Sequence, residues 1–295
     1  MKQTLILPHF ALFCTITLWA LNFILMKRDT SSEDSTFPPF LFNTLRYPMA
    51  GLACLLTLKL QKFSIKIKKT DWPKIIFLSF LASVAYQTIY IFGLEQTKGG
   101  NVFIIFSICP IFVCIITFIK GKSQLNKTQF VSSLIALLGL FITTYDDFHN
   151  SSFDTGSILI LISTLGWAFY TFTASEILKK YNSMLINGYV LLIGTFFHAT
   201  MAVLTKQSNL TILASVSFQA WVSFFISGLG SLYISYTLYS YGIKLLGPEK
   251  ASQYSYLGPP IGLCFALIFL DETVTFFQVT GMILILIGVY KTQKS

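Results

Sequence analysis

Apolar and polar residues alternate along this chain on the scale of whole helices. Stretches of about 20 mostly apolar residues follow one another and are separated by short polar segments. Lipid offers no partner for backbone N–H and C=O groups, so a stretch of this length and polarity predicts a membrane-spanning helix. Ten spans are predicted, at residues 8–26, 39–58, 73–95, 99–119, 127–145, 155–176, 183–204, 217–243, 250–270 and 273–290.

Composition supports an all-α membrane protein. Hydrophobic residues make up 54% of the 295 residues, charged residues only 11%, and the mean hydropathy is +0.68. These values lie outside the range of soluble globular domains. The ten spans leave almost no chain for a soluble domain, and the lipid bilayer is the expected surrounding.

The basic residues predict the orientation. If both termini lie on one side, sixteen of the 21 Lys and Arg residues fall in segments on that side. The opposite side holds only Lys27, Arg28, Lys98 and Lys206. Because Lys and Arg are retained on the cytoplasmic side, both termini are expected to be cytoplasmic. The net charge of +9 is spread over several loops, which argues against a nucleic-acid partner.

The chain contains an internal repeat. A shift of 149 residues superposes 85–141 on 234–290 without a gap. The spacing from Pro110 to Gln129 to Gly139 recurs from Pro259 to Gln278 to Gly288. A shift of 148 places Trp19 on Trp167. Two copies of five spans each must enter the membrane from opposite sides. The sequence therefore predicts two inverted five-helix repeats, at residues 1–148 and 149–295.

Three stretches carry a resemblance to a known family. They are WALNFILMK from Trp19, PPFLFNTLRYPMA from Pro38, and LGPPIGLCFALIFLDETVTFFQVTGMILILIGV from Leu257. The chain resembles the EamA-type, ten-helix members of the drug/metabolite transporter superfamily. One departure is Ser123, opposite Glu272, where the family often has a Glu ahead of the fifth helix.

The resemblance implies a transporter in the cytoplasmic membrane of a bacterium. It would move a small polar or amphipathic metabolite by alternating access, with an amino acid or a derivative as the expected solute. No cofactor or metal is expected. The resemblance leaves the direction of transport, its coupling and the oligomeric state open.

Two other function classes compete with transport. A membrane-embedded enzyme acting on lipid would need a converging acid, base, metal or nucleophile, and the sequence contains no HExxH motif or phosphate-cradling glycine loop. The prediction is therefore that the chain is not an enzyme. A scaffold without transport is disfavoured by polar stripes at helical spacing within several spans.

These stripes supply the candidate residues of the solute path. Trp19 and Asn22 share one face of the first span, and the third, sixth, eighth and ninth spans carry further polar groups. The alternative is that these groups only bond helices together. The candidates are Trp19, Asn22, Lys27, Arg46, Tyr86, Gln87, Tyr90, Trp167, Tyr170, Ser235, Tyr239, Gln253 and Tyr256.

Charged and titratable groups within the spans are few. Arg46 lies about two turns into the second span, where an arginine costs about 2.5–3.5 kcal/mol to insert, so it should face water or a partner. The alternative role is to bond helix-end carbonyls. Lys27 could reach the headgroups or attract an anionic group. His198 is expected to be a packed, neutral histidine.

Prolines and glutamines recur at matching positions of the two halves. Pro110, Pro259 and Pro260 lie at matching depth in the fourth and ninth spans, and they are predicted to be hinges. Gln129 and Gln278 each lie three residues after a capping residue, which predicts capping boxes at the start of the fifth and tenth helices.

Overall fold

The computed structural model describes residues 3–30, 37–97, 102, 105–121, 127–143, 154–269 and 275–294. Within these ranges the regular structure is entirely helical. The helices are α1 Gln3–Thr30, α2 Pro39–Leu60, α3 Lys69–Leu94, α4 Cys109–Ile119, α5 Lys127–Thr143, α6 Thr155–Ile177, α7 Ser183–Leu204, α8 Phe218–Leu246, α9 in three pieces (Pro248–Ser252, Gln253–Leu257 and Gly258–Phe269) and α10 Phe276–Lys294.

The helices follow the predicted spans closely. In the described part of the chain, five helices are long and apolar enough to cross a membrane by length and composition, namely α3, α6, α7, α8 and α10. Shorter apolar helical stretches lie in α1, α4 and α5. The predicted ends of the helices agree with the structure to within about five residues where it describes them, except that α4 begins only at Cys109, after a turn inside the predicted span 99–119.

Helix packing follows one pattern in both halves. Helix α1 packs against α8 and α9, and its counterpart α6 packs against α3 and α4. Helix α2 packs against α7 and α8, and α7 packs against α2 and α3. Helix α5 packs against α10. Exchanging each helix for its counterpart in the other half returns these pairs; helix α7 also packs against α8, and no α2–α3 pair of similar closeness matches it in the described residues.

Side-chain caps begin several helices. The Asp154 carboxylate accepts the Ser157 N–H at 2.8 Å at the start of α6, and that hydrogen bond holds the pKa of Asp154 below its ordinary value. At α10, the Thr275 N–H donates to Gln278 Oε1 at 2.9 Å and the Gln278 N–H donates to Thr275 Oγ1 at 3.3 Å. The capping box predicted at Gln278 is confirmed. The side chain of Gln129 lies outside the described residues.

Helices α5 and α10 form a close pair. A Cβ atom built on Gly139 would lie 2.6 Å from the Gly281 carbonyl oxygen, and one on Gly288 would lie 2.7 Å from the Ala136 Cβ. Side chains larger than glycine would therefore push the two backbones apart. Because Gly139 and Gly288 occupy equivalent positions of the repeat, the two helices approach each other in the same way from both sides.

Two helices contain a widened, π-helical stretch. In α3 it covers Leu81–Thr88 and in α8 it covers Ile226–Ser235. A shift of 149 residues places the first stretch at 230–237, so the two overlap. In each stretch a hydroxyl donates to a carbonyl five residues earlier, Thr88 to Ser83 at 2.8 Å and Ser235 to Gly230 at 2.9 Å. Such turns often mark functional sites in helices.

Helices α4 and α9 are irregular just before their prolines. A turn at Ser107 and Ile108 precedes α4, and Pro110 is the second residue of that helix. The 3-10 segment Gln253–Leu257 precedes the last piece of α9, in which Pro259 and Pro260 are the second and third residues. The structure thus places each break at the position that the repeat predicts, whereas hinge motion stays a prediction.

Candidate functional site

Aromatic rings from four helices gather around Trp167. The side chain of Trp167 is 2% exposed. Its ring centroid lies 4.8–5.7 Å from five other rings, those of Trp19 on α1, Tyr86 on α3, Tyr170 on α6, and Tyr236 and Tyr239 on α8. We call these six residues the aromatic cluster. It draws on both halves of the chain and combines flat apolar faces with hydroxyl groups.

The predicted face of α1 lies against the π-helical stretch of α8. Trp19 Nε1 donates to the Ser231 carbonyl at 3.2 Å, and Thr15 Oγ1 donates to the Ser235 carbonyl at 3.3 Å. A π-helical turn frees carbonyl groups from the regular ladder, and these side chains of α1 satisfy such groups. Asn22 is half-buried on the same helix. The side chain of Lys27 lies outside the described residues.

The remaining path candidates fall into two groups. Tyr90 extends the aromatic cluster, because its ring lies 5.7 Å from that of Tyr86, and Gln87 is half-buried beside them. Gln253 and Tyr256 lie elsewhere, since Gln253 Nε2 donates to Ser133 Oγ on α5 at 2.6 Å and the Tyr256 hydroxyl lies toward the same serine. The structure therefore does not bring this second pair to the aromatic cluster.

Arg46 is buried among neutral groups. Its side chain is 5% exposed, Nε donates to Asn43 Oδ1 at 2.7 Å, and Nη1 donates to the Ser227 hydroxyl. Its Cζ atom lies 5.1 Å from the centre of the Phe42 ring and 5.9 Å from that of Tyr47. Both hydrogen bonds go to side chains, so the alternative role of bonding helix-end carbonyls does not describe this arginine.

Among the residues that the structure describes, no acidic side chain pairs with the Arg46 guanidinium. Within the described residues, the ion pairs are Lys74–Glu176 and Lys180–Asp71, and neither includes Arg46. The guanidinium lies 5.9 Å from the centre of the Tyr47 ring, and Tyr86 and Tyr236 of the aromatic cluster lie within electrostatic range of it. Arg46 is therefore a buried cation at the edge of that cluster.

A buried imidazole lies on the other side of Tyr47. The His198 side chain on α7 is fully buried, and its ring centroid lies 4.4 Å from that of Tyr47, edge to face. Neither ring nitrogen of His198 has a hydrogen-bond partner within the described part of the chain. The packed position that the sequence predicts for His198 is confirmed.

Sequence reasoning missed several residues of this region. Asn43 and Ser227 hold Arg46, and Asn187 on α7 accepts hydrogen bonds from Ser240 at 3.1 Å and from Tyr170 at 3.4 Å. The spacing of three residues between Asn43 and Arg46 is a signal that the sequence offers. The bond to Ser227 joins residues far apart in sequence, so only the tertiary packing shows it.

The two halves also appear in a comparison with known protein families. A model described as the EamA-like transporter family matches residues 6–145 and, a second time, residues 154–292. The chain belongs to the EamA-like transporter family. It is therefore an integral, multi-pass membrane protein of a transporter family, as the resemblance in its sequence predicts.

Other members of this transporter family match over nearly their full length. The chain is 24% identical over 279 residues to an uncharacterized transporter of Archaeoglobus fulgidus, with 94% of this chain and 95% of the relative covered. It is 22% identical to the uncharacterized transporter YoaV of Bacillus subtilis, with 92% of each covered. A solved crystal structure at 15% identity superposes with a TM-score of 0.82 and covers 97% of this chain and 96% of that one. That likeness shows the shared fold.

Proposed function

We propose that this EamA-like transporter carries a small amphipathic metabolite with a carboxylate group, an amino acid or a derivative, across the cytoplasmic membrane. The observation that carries the proposal is the position of Arg46. A buried guanidinium with neutral partners and no counterion within the described residues lies beside a cluster of aromatic rings.

The guanidinium suits a carboxylate. An unpaired charge away from water is costly, and an anionic solute would offset that cost at the moment it binds. The fork of N–H donors on arginine matches the two oxygens of a carboxylate. Asn43 and Ser227 each accept a hydrogen bond from one nitrogen of the guanidinium, so they fix the direction in which it points.

The aromatic cluster suits the apolar part of the same solute. Binding sites for small molecules are lined mainly by apolar and aromatic side chains, with a few polar groups that set orientation. Trp167 and its five ring neighbours supply such surfaces from α1, α3, α6 and α8. A solute held there would contact both halves of the protein.

The architecture supports transport by alternating access. We propose that residues 1–148 and 149–295 form two inverted five-helix repeats, because most helix pairs are returned when the halves are exchanged. The lysine-rich side predicted from the sequence would then be cytoplasmic, with both termini there. Rocking of the repeats against one another would expose the aromatic cluster to each side of the membrane in turn.

Uptake into liposomes tests the proposal. Purified protein is reconstituted and challenged with labelled amino acids and their N-acyl derivatives, using the wild type, Arg46→Lys, Arg46→Ala and, as a control, Lys206→Ala at an exposed position. Both Arg46 variants should lose most uptake, since lysine keeps the charge and lacks the planar donor pair. The control should transport normally. The proposed solute class would be refuted if the wild type took up none of the carboxylate solutes. It would also be refuted if Arg46→Ala took them up as fast as the wild type.

A further inference from the structure

We infer that Asn187 binds the second polar end of the solute. In this arrangement the Nδ2 group of Asn187 donates to a neutral oxygen acceptor, such as the carbonyl of an acylated amine, at the end of the solute remote from its carboxylate. The inference deepens the proposed function and rests on it for the carboxylate end. It gives the solute a second anchor on the other side of the aromatic cluster.

The side-chain amide of Asn187 is buried and only partly satisfied. Asn187 is 0% exposed, and its Oδ1 atom accepts hydrogen bonds from Ser240 Oγ at 3.1 Å and from the Tyr170 hydroxyl at 3.4 Å. Since both neighbours donate to Oδ1, they hold the amide in one orientation. The Nδ2 atom is buried and lacks a partner within the described residues. An unmatched buried N–H group costs free energy, so a solute oxygen that accepts from Nδ2 would remove that cost.

Asn187 lies at the edge of the aromatic cluster. Tyr170, which donates to Asn187, belongs to the cluster, and its ring stacks on that of Trp167 with 4.9 Å between the centroids and 18° between the planes. Ser240 follows Tyr239, another member of the cluster, on α8. The amide of Asn187 on α7 is thus joined to the cluster through α6 and through α8.

Arg46 and Asn187 lie toward opposite ends of the cluster along α8. The Ser227 hydroxyl accepts from Arg46, and Ser240 donates to Asn187. The two tyrosines that α8 contributes to the cluster come between these two serines in the sequence. A solute that contacts the cluster can therefore face Arg46 with one end and Asn187 with the other.

Helices α2 and α7 indicate how far apart the two ends are. A Cβ atom built on Gly188 would lie 2.8 Å from Leu55 Cδ2, so Asn187 is about level with Leu55. Leu55 is nine residues beyond Arg46 on α2 (46 to 55). At 1.5 Å per residue this corresponds to about 13 Å between backbone positions. The acceptor oxygen must therefore be separated from the carboxylate by an apolar body such as a ring.

The two ends differ in charge, which narrows the class of the solute. Asn43 and Asn187 are each the fifth residue of their helix, in the similar stretches PFLFN of α2 and SMLIN of α7. Asn43 accepts from Arg46 three residues later, whereas Val190, which is fully buried, stands three residues after Asn187. One end thus offers a cation and the other a neutral donor. This pair matches one carboxylate and one neutral acceptor, and it disfavours a dicarboxylate, whose second charge would meet the neutral Asn187 and Val190.

Equilibrium dialysis of the purified protein with three labelled probes tests the inference. The first probe, 3-(4-acetamidophenyl)propanoate, carries a carboxylate and an acyl oxygen on opposite sides of a ring. The second, 3-(4-isobutylphenyl)propanoate, has a similar shape without the acyl oxygen, and the third, N-(4-propylphenyl)acetamide, lacks the carboxylate. We expect the wild type to bind the first probe roughly tenfold more tightly than the second, because one hydrogen bond to a buried donor contributes about that factor.

Replacing Asn187 should abolish this preference. In Asn187→Leu and in Asn187→Ala, the affinity for both acetamide probes should fall roughly tenfold, whereas the affinity for the isobutyl probe should stay the same. A dissociation constant does not depend on how much of the protein is folded, so a loss of stability cannot imitate this result. The control is Asn209→Ala, at an exposed asparagine that caps a 3-10 segment, and it should bind all three probes as the wild type does.

The inference is wrong if the wild type binds the first two probes equally or binds neither acetamide probe. It is also wrong if the Asn187 variants weaken all three probes alike or keep the wild-type preference. Arg46→Gln separates this test from that of the proposed function, since it should weaken only the two carboxylate probes. If Arg46→Gln binds every probe as the wild type does while the Asn187 variants lose the preference, the second anchor stands and the proposed carboxylate site fails.

Discussion

Trp19 and Trp167 hold equivalent places in the two halves of the chain, and their rings meet edge to face with 5.7 Å between the centroids. Their surroundings nonetheless differ. The Trp167 ring is 2% exposed and stacks between those of Tyr170 and Tyr239, whereas Trp19 is half-buried and bonds the Ser231 carbonyl. The same residue type thus forms the middle of the aromatic cluster in one half and its edge in the other.

Replacing Trp167 should separate packing from solute binding. Trp167→Ala should lower the free energy of unfolding by about 3–5 kcal/mol, the usual cost of removing a large buried ring. Trp167→Phe should keep most of the stability and raise the KM for uptake. Melting temperature and liposome uptake are measured on the same preparations, with Trp221→Phe, which packs against Phe37 and Phe224, as the control. If Trp167→Phe had the same KM as the wild type, Trp167 would not contact the solute.

The residues that hold Arg46 should matter for affinity. Ser227→Ala and Asn43→Ala each remove one hydrogen bond from the guanidinium, so it can turn away from the solute. We expect the KM for a carboxylate solute to rise several-fold, with a smaller change in the maximal rate. Thr44→Val is the matched control on α2, because the Thr44 hydroxyl bonds only the Phe40 carbonyl of its own helix. Equal KM values in all three variants would contradict this role.

Two ion pairs join the start of α3 to the end of α6 and to the turn that follows it, and they should affect the rate of the conformational change. Lys74 pairs with Glu176, and Lys180 Nζ lies 2.8 Å from Asp71 Oδ1. Lys74→Glu and Glu176→Lys should each place like charges together and change the uptake rate, whereas the double exchange should restore it. Stability should change by less than about 1 kcal/mol, because the pair is partly exposed. If the double variant Lys74→Glu/Glu176→Lys took up solute as slowly as the single variants, the ion pair would have no role in the transport cycle.

The prolines should affect turnover more than folding. Pro110→Ala and Pro259→Ala remove the residues that follow the breaks in α4 and α9, so each helix can continue through its break. We expect normal yield and a slower maximal uptake rate in both variants. The exposed Pro73, at the start of α3, provides the control variant Pro73→Ala. Wild-type turnover of both variants would show that the two prolines are only tolerated in their helices.

The orientation can be tested by labelling single cysteines. In a variant without the five native cysteines, Ser64→Cys lies in the exposed segment between α2 and α3, and Ser208→Cys lies in the exposed segment between α7 and α8. An impermeant thiol reagent applied to intact cells should label Ser208→Cys, and Ser64→Cys should react only after the membrane is opened. Labelling of both from outside would overturn the proposed arrangement of the repeats.

Much of the fold could be predicted because its signals are local. Apolar stretches of spanning length gave the helices, and the capping spacing at Thr275 and Gln278 gave the start of α10. The equivalence of Trp19 and Trp167 came from the repeat, whereas the contact between their rings was not predicted. Each of these signals needs only the residue types and their spacing along the chain.

The site was harder to predict, because it depends on which helices become neighbours. A polar stripe shows that a face avoids lipid without naming its partner. For this reason Gln253 resembled a path residue, although it contacts Ser133 on α5. The π-helical stretches in α3 and α8 also escaped prediction, since no residue pattern in Leu81–Thr88 or Ile226–Ser235 distinguishes them from regular helix.

The pairing of α5 with α10 bears on how the protein assembles. Each half contributes one helix whose main contact lies in the other half, and Gly139 and Gly288 bring the two backbones together there. Neither half alone could cover its fifth helix with protein. We therefore expect that neither half folds alone, because α5 of a newly made first half would stay exposed to lipid until α10 is synthesised.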